Sequence, residues 1–156
     1  MTLTFKEKSF FDEDVEVFDE SEMLIANFNK QHGDYFLSFN KIEYFVKADG
    51  SLNFKSEIIN VKSKEKIVDI NTTSKWGVSF KYNNKQYSYA EEFPLGYNFN
   101  VKDENKNIIL YCTKNLLTNN GEVTFKQDVH VIIVLFSILI KLNRRKLMQE
   151  KFISFG

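Results

Sequence analysis

The feature that most constrains the fold is an apolar run at residues 129–142. Between Val131 and Ile140 only Ser137 is polar, so a helix here would be apolar on every face and would have to be buried on all sides. The run is shorter than the roughly 20 residues that cross a bilayer, and its length is typical of a buried core helix. Its β-branched residues leave a buried strand as the alternative, but strands usually run about 4–8 residues.

The flanks of the run indicate where the helix begins and ends. Asp128 stands in front of it and suits an N-cap or a first-turn acid. Four cations follow and suit the negative end of the helix dipole: Lys141, Arg144, Arg145 and Lys146. We therefore predict a helix from about Asp128 to about Gln149, and it needs a shell of protein around it.

Length and charge limit the class of protein. The chain has 156 residues, with 21 basic and 21 acidic side chains, which predicts a single domain over residues 1–156. Because the charges cancel, no overall field favours nucleic acid, and we expect no nucleic-acid partner. The single cysteine, Cys112, has no disulfide partner and points to a reducing compartment. The first residues lack the apolar core of a signal peptide, so a cytoplasmic location, free or at a membrane surface, is expected.

The rest of the chain reads as short strands. Phenylalanine occurs 16 times, tyrosine 7 times and proline once, and aromatic residues favour strands. Tyr35, Leu37 and Phe39 alternate with less apolar neighbours, as in a half-buried strand. Asp49-Gly50 and Asn83-Asn84 are tight-turn signals. Together these patterns predict about ten to twelve short antiparallel strands over residues 3–126.

Two stretches of the sequence resemble each other. VFDESEMLI at residues 17–25 lines up with VKDENKNII at residues 101–109, with Val, Asp, Glu and a closing apolar pair at the same offsets. Residues 61–68 are a weaker version. We interpret these stretches as one repeated hairpin of strand, acidic turn and strand.

A barrel combines the two unusual features of the sequence. A sheet that closes on itself removes its edges, and a barrel of many strands is too wide for side chains alone to fill. A helix with no polar face would fill that interior. We therefore predict a mainly β fold, a closed antiparallel β-barrel of about 12 strands enclosing the hydrophobic C-terminal α-helix.

The hairpin turns in VFDESEM, VKADGSL and VKDENKN, together with the terminal DVHVIIVLFSILIKL, resemble the tubby C-terminal-like fold. Within it, the chain is most similar to the LURP-one-related and phospholipid-scramblase-like proteins, including small bacterial members, over about residues 3–150. The resemblance implies a barrel around a central helix. It also implies phosphoinositide binding, as in tubby proteins, or membrane association, as in scramblase-like ones. No family ligand-binding residue matches a position here.

The sequence offers no catalytic signature. It contains no P-loop, GxGxxG, HExxH or GxSxG pattern, and two histidines with one cysteine do not make a usual zinc site. His130 is interpreted as a helix-start or core histidine, His32 as a loop residue and Cys112 as a buried thiol. Catalysis would require a base such as His32 or His130 beside Cys112. We expect no enzyme activity, no catalytic or metal site and no cofactor.

The cations Lys141, Arg144, Arg145 and Lys146 are the candidate contact for an anionic surface, although the helix dipole explains them better. The expected function is a non-catalytic binding or scaffold domain whose partner is an anionic phospholipid or another protein. The alternatives are a lipocalin-like carrier with the helix packed outside and a single-pass membrane protein with a β-domain.

Overall fold

The alternating apolar residues form a sheet in which strands pair in sequence order. The computed structural model describes residues 1–9, 12–48, 55–92, 98–115 and 117–144. These residues form twelve strands: β1 (Thr2–Ser9), β2 (Asp12–Phe18), β3 (Leu24–Gln31), β4 (Asp34–Phe39), β5 (Ile42–Ala48), β6 (Lys55–Asn60), β7 (Lys66–Ser74), β8 (Gly77–Tyr82), β9 (Lys85–Glu91), β10 (Phe99–Lys102), β11 (Ile108–Lys114) and β12 (Gly121–Phe125).

The first and last strands close the sheet into a barrel. Every pairing is antiparallel, and β1 pairs with β12 through Leu3 opposite Val123 and Phe5 opposite Gly121. No strand edge therefore remains between these two strands to template aggregation. The predicted closed barrel of about 12 strands is confirmed, with one register shift each at five of the strand pairs.

Glycine is required at one point of this closure. At Gly121 a Cβ atom would collide with the ring of Phe5 on the neighbouring strand and with the carbonyl oxygen of Thr113. The aromatic ring lies over the position that a side chain would fill. A larger residue at position 121 would have to push the ring or the strand aside.

The interior is filled by α1 (Val131–Leu142). Every residue from Ile132 to Ile140 is buried, and all of them except Ser137 belong to the same core as the inward-facing strand residues. The polar Ser137 satisfies its hydroxyl within the helix by donating to the carbonyl of Ile133 at 2.7 Å. The enclosure of an all-apolar helix, predicted from the sequence, is confirmed.

The predicted start of the helix is wrong. The N-cap is His130, whose Nδ1 accepts the N–H of Ile132 at 3.1 Å, and Asp128 lies in the preceding turn. Val129 closes this turn with a hydrogen bond to the carbonyl of Lys126 at 3.0 Å. Once the chain has turned there, the imidazole acceptor stands where an N-cap oxygen usually stands.

The helix also ends before the predicted Gln149, which lies outside the described residues, as does the Asp49-Gly50 turn. Asn143 is the C-cap, and its side chain turns to β4. There the side-chain carbonyl accepts the N–H of Tyr35 at 3.1 Å, and the side-chain amide donates to the carbonyl of Leu139 at 3.2 Å. A buried side-chain amide thus joins the end of the helix to the barrel wall. No helix of the described residues combines the length and apolar character that crossing a membrane requires.

One turn conformation occurs at both stretches that the sequence similarity marks. The Oδ1 atom of Asp19 accepts the N–H groups two and four residues later at 2.8 and 3.0 Å, and Asp103 does the same at 2.9 and 3.0 Å. Glu22 and Lys106 adopt positive φ angles of 62° and 64° at equivalent positions. The interpretation of these stretches as one repeated hairpin is confirmed at the level of hydrogen bonds.

A related turn joins β6 to β7. Asn60 accepts the N–H groups two and three residues later at 3.0 and 3.1 Å, and Lys64 has a φ of 65°. The three turns connect β2 to β3, β6 to β7 and β10 to β11, so the conformation recurs every fourth strand. Because alternate connections of an antiparallel barrel share an end, all three lie at one end. The chain also passes from β12 into the helix there, and we call it the entry end.

Candidate functional site

A cleft opens at the entry end, beside the start of the helix. It has a volume of about 490 Å³ and lies between the β8–β9 hairpin, the β10–β11 turn and residues 128–133. The hairpin is formed by Asn83 and Asn84, both at positive φ (49° and 62°), as their predicted turn requires. The site thus combines the start of the helix with one of the repeated turns and one tight hairpin.

The cleft has an apolar floor and aromatic walls. Ile109, Val129 and Ile133 line its base, and Tyr82 and Tyr87 line its sides. The two isoleucines are buried, and the tyrosines are partly buried against the same core. A concave apolar surface with a few polar groups at its rim is the usual form of a small-molecule site.

Three carboxylates line the cleft, those of Asp103, Glu104 and Asp128, and they outnumber the one lysine among its described lining residues, Lys85. The repeated turn fixes the first of these, because its Oδ1 atom accepts two backbone N–H groups. The Oε1 atom of Glu104 accepts the N–H of Gln86 at 3.0 Å and so ties the turn to β9. Two of the three carboxylates are therefore held by the sheet itself.

The tyrosine hydroxyls lie close to one another and to these acids. Burial, and then the charges of Glu104, Tyr82 and Asp103, raise the pKa of Tyr87. Burial, and then the proximity of Tyr82, raise the pKa of Tyr44 on β5. The rings of Tyr44 and Tyr82 both meet Phe136 of the helix edge-on, at 5.3 and 5.5 Å between centroids. The helix therefore positions the aromatic groups around the cleft.

Charged groups of the helix end gather at the opposite end of the barrel. The Oε1 atom of Glu91 lies 2.9 Å from Nε of Arg144 and 3.4 Å from Nζ of Lys141, and it accepts the hydroxyl of Tyr89 at 2.9 Å. Arg144 also donates through Nη2 to the carbonyl of Lys75. The side chains of Glu91 and Arg144 are each only 5% exposed, so the ion pair is inside the protein.

This arrangement bears on the predicted contact for an anionic surface. Lys141 and Arg144 are brought together, but on the internal carboxylate of Glu91 rather than on the outer surface. Arg145 and Lys146 lie outside the described residues. Lys141 and Arg144 anchor the end of the helix to Glu91, and this role accounts for both cations.

A third cation, Lys114, lies near Lys141. Burial, and then the charge of Lys141, lower the pKa of Lys114. Burial also lowers the pKa of Lys141, with Glu91 opposing and Arg144 adding to that effect. Nη1 of Arg144 is buried without a hydrogen-bond partner, which is costly for a charged donor. Lys114 and Arg144 therefore each lie near Lys141, in a weakly solvated place.

The three residues considered for chemistry do not come together in this structure as a catalytic group. Burial raises the pKa of the Cys112 thiol to about 12, and the cations that oppose this shift are Lys141 and Lys114. A nucleophilic cysteine requires the opposite shift. His130 caps the helix at the entry end, and His32 is exposed in the β3–β4 turn with a φ of 53°. Among the described residues, no group of three or more His, Cys, Asp or Glu side chains is placed to hold a metal ion.

Sequence reasoning did not identify the cleft. Its residues come from four separate segments between positions 82 and 133, and each segment alone has an ordinary explanation as a strand or a turn. One signal was present, because the internal similarity marked Asp103 and Glu104 as a fixed turn. What the sequence did not reveal was that the start of the helix would pack beside this one of the repeated turns.

A comparison of the chain with family models and with curated proteins returned no match. A comparison with solved structures found the X-ray structure of a protein from Arabidopsis thaliana. The TM-score is 0.58 and the identity 13%, and the alignment covers 91% of this chain and 90% of that chain. At this identity the likeness shows a related barrel fold, and a shared fold does not by itself define a function.

Proposed function

We propose that the protein is a non-catalytic binding domain that takes a small ligand in the cleft at the entry end. The observation that carries this proposal is the cleft itself, with its apolar floor of Ile109, Val129 and Ile133 and its polar rim. Such a combination binds small molecules by burying their apolar part and orienting their polar part. Cys112 offers no competing site, because its thiol is buried and its pKa is raised.

The filled interior favours the cleft over a lipocalin-like carrier. In a carrier the ligand occupies the barrel and the helix packs outside. Here residues Ile132 to Ile140 are buried inside the sheet and occupy that space. A ligand would therefore bind at the mouth of the barrel.

The tubby C-terminal-like fold, and within it the LURP-one-related or scramblase-like group, is the family that we propose for this chain. The strand order and the enclosed helix support this assignment. The related fold of the Arabidopsis protein supports it as well. The family is proposed from the fold, and the small ligand from the residues that line the cleft.

Fragment binding tests the proposed function. We expect members of a library of small soluble fragments to shift the backbone NMR signals of Asn83, Gln86 and Asn105 in the uniformly labelled full chain. Gln86→Trp should fill the cleft and abolish these shifts, whereas Lys62→Trp, at the same barrel end outside the cleft, should not. If no fragment of any charge perturbs the cleft, or if Gln86→Trp leaves binding intact, the proposal is wrong.

Association with anionic phospholipid is a second candidate, favoured by the closeness of Lys114 and Arg144 to Lys141. Arg145 and Lys146 follow directly in the sequence, and juxtaposed cations attract anionic headgroups. Co-sedimentation with phosphatidylserine vesicles at low salt should exceed that with phosphatidylcholine vesicles.

The double substitution Arg145→Gln with Lys146→Gln should reduce binding to phosphatidylserine vesicles. The matched pair Lys62→Gln with Lys64→Gln, at the entry end, should leave it unchanged. Absence of binding at low salt, where screening is weakest, would remove this candidate.

A further inference from the structure

We propose that the ligand of the cleft is a small organic cation, an ammonium group carried on an apolar body. This inference rests on the proposed function and adds the chemical class of the ligand. It follows from the charges on the rim, the tyrosines of the walls, the state of the helix N-terminus and the floor.

The rim is negatively charged. Three of the lining residues are acidic, namely Asp103, Glu104 and Asp128. The one lysine or arginine among the described lining residues is Lys85. The hydrogen bonds described for Asp103 and Glu104 use one carboxylate oxygen of each. The other oxygen of each is the acceptor that an ammonium group requires.

The tyrosines supply a second attraction for the same charge. Tyr82 and Tyr87 line the cleft, and Tyr82 lies close enough to Tyr44 to add to the rise that burial causes in the pKa of Tyr44. The face of an aromatic ring is negative and attracts ammonium groups, most strongly where several rings surround the cation. One face of the Tyr87 ring is covered by Phe80, with 5.2 Å between the ring centroids, so the other face and the ring of Tyr82 are left to meet the cation. Carboxylates and aromatic rings together would recognise a cation by two independent interactions.

The helix N-terminus is the feature that would oppose a cation, since helix N-termini favour anions. Here two of its N–H donors are already occupied. The N–H of Ile132 is taken by Nδ1 of His130 at 3.1 Å, and the N–H of Ile133 by the carbonyl of His130 at 3.0 Å. These two N–H groups are therefore not available to an anion, and the carboxylates set the sign of the charge at the cleft.

The floor requires that the cation have an apolar body. Ile109, Val129 and Ile133 lie below the charged rim, and their contact with an alkyl chain would remove apolar surface from water. The volume of about 490 Å³ lies within the range of small-molecule sites. A primary or quaternary alkylammonium of a few carbons meets both requirements.

Three probes of equal length and different charge test this proposal. Hexylammonium, hexan-1-ol and hexanoate are titrated at pH 7 into the labelled full chain, and the shifts of Asn83, Gln86 and Asn105 give the dissociation constants. We expect hexylammonium to bind at least about tenfold more tightly than hexan-1-ol, because the ring faces and carboxylates act only on the charged group. Hexanoate should bind most weakly.

Isosteric neutralisation of the rim provides the variant. Glu104→Gln keeps an oxygen for the N–H of Gln86, and with Asp128→Asn it should weaken hexylammonium binding about tenfold without changing hexan-1-ol binding. Glu22→Gln with Glu65→Gln, two exposed acids at the same barrel end, is the matched control and should change neither. Thermal midpoints of both variants confirm that the fold is retained.

The outcomes separate this inference from the function on which it rests. Tighter binding of hexan-1-ol or hexanoate at the cleft would overturn the cation and leave the binding function standing. If neither the three probes nor any fragment binds in the cleft, both the cation and the binding function are overturned. The last probe is a phosphatidylcholine vesicle, because its headgroup carries an ammonium group. If the protein binds these vesicles through Glu104 and Asp128 but does not bind free hexylammonium, the proposal of a free small molecule is wrong.

Discussion

Arg144, just beyond the helix, and Glu91, at the end of β9, form an ion pair with Nε 2.9 Å from Oε1. Each side chain is only 5% exposed. The pair spans 53 positions of the sequence and fixes the far end of the helix against the barrel wall. Together with Asn143, which is hydrogen-bonded to Tyr35, it determines how deeply the helix lies inside the sheet.

Removing the carboxylate should destabilise the protein strongly. In Glu91→Gln the guanidinium of Arg144 and the ammonium of Lys141 lose their shared charge while they remain mostly buried. Breaking a buried pair from one side typically costs about 3–5 kcal/mol, and we expect a loss near the lower value because the amide still accepts a hydrogen bond. Urea unfolding of the purified full chain measures it.

Two controls accompany that measurement. Glu122→Gln on β12 is exposed and should change stability by less than about 0.5 kcal/mol. Adding Arg144→Met to Glu91→Gln should restore part of the loss, because the uncompensated charge is then removed. Equal effects of Glu91→Gln and Glu122→Gln would show that the pair does not stabilise the helix end.

A charge inside the helix should prevent folding. Leu135 is fully buried in the centre of α1, and Leu135→Asp would place an unpaired carboxylate there. Leu117, which is 93% exposed, allows the identical substitution on the surface. We expect Leu117→Asp to fold normally and Leu135→Asp to be insoluble or unfolded by circular dichroism; cooperative folding of the latter would contradict the enclosed helix.

The imidazole cap should contribute measurably to stability. His130→Ala removes the acceptor for the N–H of Ile132, and the loss of an N-cap costs about 0.5–2 kcal/mol. His130→Asn replaces it with a side chain that also caps helices and should retain most of the stability. If alanine and asparagine give the same unfolding midpoint, Nδ1 is not an effective cap.

Stability should decline in alkaline solution because of the buried thiol. The pKa of Cys112 rises from 9.0 to about 12 on folding, chiefly by burial. Below pH 9 both states keep the proton. Between pH 9 and about 12 the unfolded thiol ionises while the folded one does not, so the free energy of unfolding falls as pH rises.

Cys112→Ala isolates this contribution. We expect it to cost about 1 kcal/mol at pH 7 and to lose less stability than the wild type between pH 8 and 11. Tyr35, whose pKa burial also raises, acts alike in both proteins. Parallel pH profiles for the two proteins would refute the role of the thiol.

The barrel could be predicted because two strong local signals agree. A helix with one polar residue, Ser137, between Val131 and Ile140 can only be stable if it is enclosed. The repeated turns at Asp19 and Asp103 carry their own hydrogen-bonding side chains, so they form without distant partners. Fold class and approximate strand number follow from such local chemistry.

The candidate site could not be predicted because it depends on distant partners. Glu91 meets Arg144 and Lys141 only after the helix has entered the barrel, so their cluster looked like a free basic end. The start of the helix moved from Asp128 to His130 because a turn at residues 126–129 intervened. The cleft exists because the returning chain passes beside Tyr82 and Glu104, and one sequence gives no sign of that neighbour.

The order of the elements along the chain has a consequence for biosynthesis. A ribosome delivers all twelve strands of the described barrel before it delivers residues 131–142, which fill it. Until then the inward-facing phenylalanines and valines contact only water or one another. The pairing of β1 with β12 also cannot form before the last strand has been made. Contacts so distant in sequence form slowly, so the nascent polypeptide exposes apolar surface until the helix is made. Chaperones would protect the chain most at that stage.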